Sequence, residues 1–244
     1  MQTAHSHDSE QRSTAYPQPR QWSRDEFDRL CESGIIADFE IQWIDGEIVQ
    51  ASYEPFRWSL KQYEQLDELG CFQNNRVQLI DGEILVMPPM NGPHGYASIF
   101  TFHELVRIFG GIQSNYDVRF NVPLPFVNSA PEPDVSVMAG NAITHVTVLP
   151  GPALALLVVE VSDSTLWYDI GEKASLYASV GIADYWVIDI PNEQVRIFRD
   201  PQPDATQPFR FGYSQVTFHP RTDTISPLAM PNGMLLVNDL IPQP

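Results

Sequence analysis

Residues 155–190 read ALLVVEVSDSTLWYDIGEKASLYASVGIADYWVIDI, and the order of patterns in this stretch decides the fold class. Ala155 to Ser162 is a nearly continuous apolar run, as in a strand buried on both faces. From about Tyr168 to Ser179 the spacing is helical, Gly181 ends the helix, and Asp184 to Ile190 is strand-like again. On either side, Asp117 to Leu124, Pro133 to Met138, Gln194 to Asp200 and FRFGYSQVTF (209–218) read as further strands, with a hairpin around Pro191-Asn192. His94 precedes a helix whose apolar positions are Ile99, Phe102, Leu105, Val106 and Phe109. Helix, strands, helix and strand in this order argue an α/β fold with a mixed sheet and a hairpin extension.

Charged groups in such apolar segments need partners. Glu160 stands in the buried-strand run and Asp134 follows a proline at the head of PDVSVM, and an unpaired carboxylate is costly in either place. The chain has two lysines, Lys61 and Lys173, and Lys173 is on the helix after Glu160. Asp169, Lys173 and Tyr177 fall at i, i+4 and i+8 and share a helix face. Each feature also has a plain structural reading: a strand-entry turn for Asp134, a rim carboxylate for Glu160, a solvated salt bridge for Asp169 and Lys173. As a set they match what phosphodiester hydrolysis requires. Two carboxylates can hold Mg²⁺ or Mn²⁺, and an ammonium can orient the attacking water or stabilise developing negative charge.

Upstream, IQWIDGEIVQAS (41–52) nearly repeats VQLIDGEILVMP (77–88). A shift of 36 residues carries Trp22 to Trp58, Ser23 to Ser59, Leu30 to Leu66, Gly34 to Gly70 and the first IDGEI onto the second. In the second copy Ser59 can cap a helix running to about Leu69, and Arg76 to Met87 is a strand pair turning at Asp81-Gly82. The DGE phrase is thus an architectural turn in the first instance. Residues 1–21 are polar and aperiodic and read as a flexible tail; 22–57 form the partial repeat, expected to extend or cap a sheet edge, and 58–244 form the main domain.

With 244 residues, 43% hydrophobic, the chain can bury a substantial core. Cys31 and Cys71 lack the spacings of a zinc site or a disulfide framework and are expected in the core, in a reducing compartment. No apolar leader and no long apolar run is present, which argues against secretion and membrane insertion and for the cytoplasm. Fourteen basic residues against 31 acidic ones give a net charge of −17. Such a chain should bind polyanions weakly unless its cations are grouped or a metal intervenes; solubility alone would also explain the charge.

The stretches Glu160 to Pro201, QLIDGEILVMPPMNGPHG (78–95) and APEPDVSVM (130–138) together resemble the Uma2 family, of the PD-(D/E)XK restriction-endonuclease-like superfamily. The resemblance covers about Trp58 to the C-terminus. It implies an endonuclease-like α/β core, a central mixed sheet flanked by helices, and a Mg²⁺- or Mn²⁺-dependent nuclease acting on nucleic acid, DNA ahead of RNA, with no membrane role and homodimerisation open. Carried over, the motif aspartate is Asp134 and the motif glutamate Glu160, both metal ligands. The lysine two residues on is replaced by Ser162, with Lys173 taking its role. Asp169, Tyr177, His94 and, in the second DGE, Glu83 are supporting residues. Gln78 stands where the family commonly has glutamate, as does Gln42 in the first copy. Gln78, Ser162 and the acidic charge favour a second expectation, a non-catalytic binding or assembly module on the same fold.

Overall fold

Both copies of the duplicated sequence fold into one motif. Ser23 and Ser59 open equivalent helices, α1 (Arg24–Ser33) and α2 (Leu60–Glu68), each through a reciprocal capping box. The Ser23 N–H donates to Glu26 at 2.8 Å, and the Ser59 N–H donates to Gln62 Oε1 at 3.0 Å. Two hairpins follow, β2 (Ile41–Ile44) with β3 (Glu47–Gln50) and β4 (Val77–Ile80) with β5 (Glu83–Val86), in the same register. Asp45-Gly46 and Asp81-Gly82 have positive φ at both positions, the turn whose twist suits a two-residue hairpin.

The structure, a computed structural model, describes residues 16–72, 75–111 and 113–243. One compact unit comprises the described residues up to Pro89 with Pro125–Pro131; the other comprises Met90–Leu124 with the chain from Glu132 onward.

In the first unit, each copy's lead-in strand pairs with the other copy's hairpin. Pro19, in β1 (Gln18–Pro19), lies opposite Leu85, and Pro55 lies opposite Val49, the same pairing shifted by 36. The Arg20 N–H donates to Ile84 O and the Phe56 N–H to Ile48 O, both at 2.8 Å. Trp22 and Trp58 meet at 5.4 Å between ring centroids. They join Leu30, Leu66, Phe56, Ile48 and Ile84 in one core. A cavity of about 90 Å³ sits on this pseudo-two-fold, and its ten lining residues form five pairs, among them Trp22 with Trp58, Glu47 with Glu83 and Arg20 with Phe56.

The first hairpin is a two-stranded sheet of its own, and the strand that covers β5 is β1, from the lead-in. Of the stretch read as a tail, residues 1–15 lie outside the described residues, while Gln18 and Pro19 form β1. The expectation of two core cysteines is corrected: Cys71 is half-buried and Cys31 exposed. α1 buries Phe27 and Leu30, so Cys31, one position past Leu30, turns outward.

The second unit is a six-stranded mixed sheet in the order β11-β10-β9-β8-β7-β6. Its strands are β6 (Tyr116–Phe120), β7 (Val135–Ala139), β8 (Ala155–Ser162), β9 (Asp184–Asp189), β10 (Gln194–Pro203) and β11 (Phe211–Pro220). β8 and β9 are parallel, and every other pairing is antiparallel. The chain crosses from β8 to β9 through α4 (Leu166–Tyr168), a π-helical turn (Asp169–Lys173) and α5 (Ala174–Ser179).

The long helix α3 (Gly92–Phe109) packs Ala97, Leu105 and Phe109 on a sheet face built from Val135, Val137, Leu157, Val159, Val161, Trp186 and Ile188. Its inward stripe excludes Ile99, which is 47% exposed. Residues alternate faces along a strand, so Val158, Glu160 and Ser162 lie on the face opposite to that of Leu157, Val159 and Val161. β12 (Thr224–Ile225), β13 (Leu235–Leu236) and α6 (Val237–Leu240) close the chain, with Leu235, Val237 and Leu240 in the same core as α3.

Deleting residues 1–56 removes β1, Trp22, Leu30, Ile48 and Phe56, leaving the edge of β5 that β1 covers unpaired and the remaining core open. The truncated chain is expected to aggregate or lose its cooperative melt, read by size-exclusion chromatography and calorimetry; unchanged solubility and melting would refute the exchanged pairing.

Candidate active site

The polar cluster begins with strand register. Val135 pairs with Val159, and one further step places Asp134 opposite Glu160, on the same face at the end of β7 and within β8. Their exposures are 2% and 3%. The Val161 N–H donates to Asp134 Oδ2 at 2.8 Å, and His94 Nε2 lies 3.3 Å from the same oxygen. His94 is held at the start of α3, where its N–H donates to the cap Asn91 Oδ1 at 3.0 Å, and Asn91 Nδ2 donates to Asp163. Asp134 Oδ1 is buried and has no hydrogen-bond partner among the described residues.

The crossover helix supplies the cation. Lys173, 3% exposed, places Nζ 2.8 Å from Glu160 Oε1 and 3.9 Å from Asp169 Oδ1. The Tyr177 hydroxyl donates to the same Glu160 oxygen at 2.7 Å. Lys173 and Tyr177, two members of the i, i+4, i+8 face expected from sequence, therefore converge on one carboxylate, and Asp169, the third, flanks the lysine. Asp169 accepts from Ser162 Oγ and, at 2.6 Å, from Thr165 Oγ1, while the Tyr185 hydroxyl donates to the Asp169 carbonyl at 2.8 Å. The π turn that carries Asp169 and Lys173 is a rare widening of the helix, of a kind frequent at functional sites.

Burial and charge set the protonation of this cluster. Burial, reinforced by the Asp134 and Asp169 charges, pushes the Glu160 carboxyl up to about 7 despite the adjacent Lys173. Burial likewise raises Asp169, against Lys173 and its two hydroxyl donors. Burial would also raise Asp134, but the hydrogen bond and charge of His94, with Lys173 and the Val161 N–H, carry it below the ordinary value. For Lys173 burial works downward, and the carboxylates of Glu160 and Asp169 outweigh it and raise it. Lys173 is thus the fixed charge, and Glu160 is the member that changes protonation near neutral pH.

The structure brings Asp134, Glu160, Lys173, Asp169, Tyr177 and His94 into one cluster. Glu83 belongs to the first unit, where it pairs with Arg57 at 2.9 Å on a partly exposed surface. Gln78, in the same unit, is fully buried on β4. Sequence reading missed the roles of Thr165 and Tyr185. Thr165 carried a signal, since it stands four residues before Asp169 on a helical stretch; Tyr185 reads only as a strand aromatic.

A hard divalent cation suits these donors. No group of three His, Cys, Asp or Glu side chains is gathered as a ligand set among the described residues. Mg²⁺ commonly takes only one or two protein carboxylates and completes its shell with water and phosphate oxygens. Asp134 Oδ1 is an orphaned buried acceptor, and the opposing Glu160 supplies a second carboxylate.

A six-stranded mixed sheet flanked by helices, with carboxylates on adjacent strands and a lysine on the crossover helix, defines a restriction-endonuclease-like domain. The chain belongs to the Uma2 family, described as "Putative restriction endonuclease", whose profile matches residues 60–237. A solved structure described as "a putative nuclease belonging to DUF820", from Anabaena variabilis, superimposes with a TM-score of 0.53 at 14% identity. The match covers 72% of this chain and 96% of that one, and it shows a shared fold. No curated protein matches the chain. Among the described residues, no helix is long and apolar enough to cross a membrane.

Two stability measurements follow from the cluster. The folded-state value of Glu160 lies above its ordinary 4.5, so the folded chain holds the extra proton and stability falls as pH rises from about 4.5 through about 7. The loss is on the order of 3 kcal/mol, and Glu160→Gln should flatten that part of a urea-denaturation pH profile. Above pH 7, where Glu160 is ionised, Lys173→Met alone removes the counter-charge of a buried carboxylate and should cost up to about 3–5 kcal/mol, whereas Glu160→Gln combined with Lys173→Met should recover most of it. Equal losses in the single and double variants would contradict the pairing.

Proposed function

We propose that the cluster is the active site of a divalent-metal-dependent nuclease that hydrolyses phosphodiester bonds in nucleic acid, with Mg²⁺ or Mn²⁺ as the ion. One observation carries the reading: Asp134 Oδ1 is a buried acceptor without a donor among the described residues, opposite Glu160 on the neighbouring strand and in the same charge cluster as Lys173. Asp134 and Glu160 would hold the ion. When bound, it would neutralise the scissile phosphate and lower the pKa of a water molecule.

The remaining roles belong to the chain's own groups. His94 and the Val161 N–H both engage Asp134 Oδ2, which leaves Oδ1 as the ligating oxygen. Tyr177 and Lys173 fix Glu160 through Oε1. The Lys173 ammonium can orient the attacking water or stabilise charge building on the phosphoryl oxygens, and Asp169, clamped by Ser162 and Thr165, holds the lysine in place. Ser162 stands where the superfamily motif has its lysine, so the cation has changed element while keeping its place beside the glutamate.

One observation favours a non-catalytic binding module instead: Lys173 is already neutralised by two carboxylates. Cleavage of supercoiled plasmid, single-stranded DNA and RNA in Mg²⁺ and in Mn²⁺ decides between the two. The nuclease reading expects metal-dependent cutting, with DNA cut in preference to RNA, that Asp134→Ala and Lys173→Ala each reduce by roughly 100-fold or more, the scale for loss of one charge-stabilising group. No cutting, or cutting that survives both substitutions, would leave the binding module.

A further inference from the structure

β6 ends at Phe120 opposite Val135, and the next step of that register places Asn121 across from Asp134. The Asn121 N–H donates to the Asp134 carbonyl at 3.1 Å, so the pairing extends to this step. Asn121, Asp134 and Glu160 thus occupy one row across three neighbouring strands.

Two oxygens in this row are orphaned. Asp134 Oδ1 and Asn121 Oδ1 are both buried, and neither has a hydrogen-bond partner among the described residues. Buried acceptors are nearly always satisfied, so two on directly opposed residues point to one absent group that serves both. One water molecule can donate to both oxygens, and metal titration separates that case from an ion. A hard cation serves a carboxylate and a carboxamide oxygen together, since both belong to the ligand chemistry of such ions. Asn121 also holds φ at +49°, in the left-handed region, where asparagine is one of the few side chains at ease.

We propose that Asn121 Oδ1 is a ligand, together with Asp134 Oδ1, of the divalent cation in the proposed active site. The inference rests on the metal-dependent reading above and adds a neutral oxygen to its two carboxylates. A carboxamide as third ligand also accounts for a site in which fewer than three acidic, histidine or cysteine side chains gather. It leaves the ion's positive charge less fully neutralised than a third carboxylate would, which suits a site that must also accept a phosphodiester anion.

The test uses the full chain, stripped of metal, titrated with Mn²⁺ by calorimetry and with Tb³⁺ by luminescence lifetimes in H₂O and D₂O, which count the waters on the ion. Asn121→Gly removes the amide and tolerates the positive φ; Asn121→Asp retains an oxygen. Asn121→Gly is expected to weaken Mn²⁺ by at least about 10-fold, the lower range for disturbing a metal centre, and to give Tb³⁺ an additional coordinated water. Asn121→Asp is expected to bind Mn²⁺ at least as tightly as wild type with the wild-type water number. Circular dichroism identifies any variant that has not folded, and Asn121→Ser is then titrated in its place, with the outcome expected of Asn121→Gly. If Asp134→Asn weakens Mn²⁺ while the amide-removing variant changes neither affinity nor water number, the Asn121 assignment fails and the metal site stands. If wild type shows no saturable Mn²⁺ binding, both fail.

Discussion

An ammonium group that is 3% exposed cannot exist without a counter-charge, and most of the second unit is arranged around that requirement at Lys173. Its partner must be as deep as it is, which explains a glutamate in the middle of the apolar run of β8. Glu160 must in turn satisfy its remaining lone pairs, and Tyr177 donates to it one helical turn beyond the lysine. Asp169, one turn before the lysine, needs donors of its own and takes them from Ser162 and Thr165. Each polar group in the sequence is the solution to the burial of the one before it. The widened turn at Asp169–Lys173 fits the same logic, since it carries both members of an ion pair toward the sheet.

Much of this was legible in the sequence alone. The helix caps, the Asp-Gly turns and the 36-residue repeat are local signals with local causes, and they hold residue by residue. The strands around Glu160 were legible because a run buried on both faces leaves no ambiguity of face. Asp134, Glu160 and Lys173 stood out because a charge in an apolar context is improbable unless paired, and Lys173 is one of two lysines and stands on the helix after Glu160. The exchange of lead-in strands was not legible, because pairing between distant segments leaves no trace in hydrophobic period. Cys31 was misjudged because residue type says little about which side of a helix a residue takes when neighbouring Leu30 already fills the core. Asn121 carried no signal, since a polar residue after a strand is ordinary; only the register and the orphaned oxygen distinguish it.

The electrostatics of the cluster reconcile a strongly acidic chain with the anionic substrate proposed for it. Asp134, Glu160 and Asp169 surround a single lysine, so the cluster repels a phosphodiester as long as all three are ionised and nothing else intervenes. Burial moderates this by raising Glu160 and Asp169, and the Asp134 carboxylate keeps its charge through His94 and the Val161 N–H. The carboxylate with the orphaned oxygen is therefore the one whose ionisation the surroundings protect.

The exchanged lead-ins of the first unit make its two copies an intramolecular dimer. Each copy completes the other's hairpin, as in domain swapping, but both reside on one chain. Their encounter is governed by an effective concentration set by the connecting residues, so this assembly does not come apart on dilution. Because the copies are no longer required to be identical, each can diverge while the pairing persists. The copies already differ in the shared cavity, where Arg20 in one occupies the position that Phe56 fills in the other.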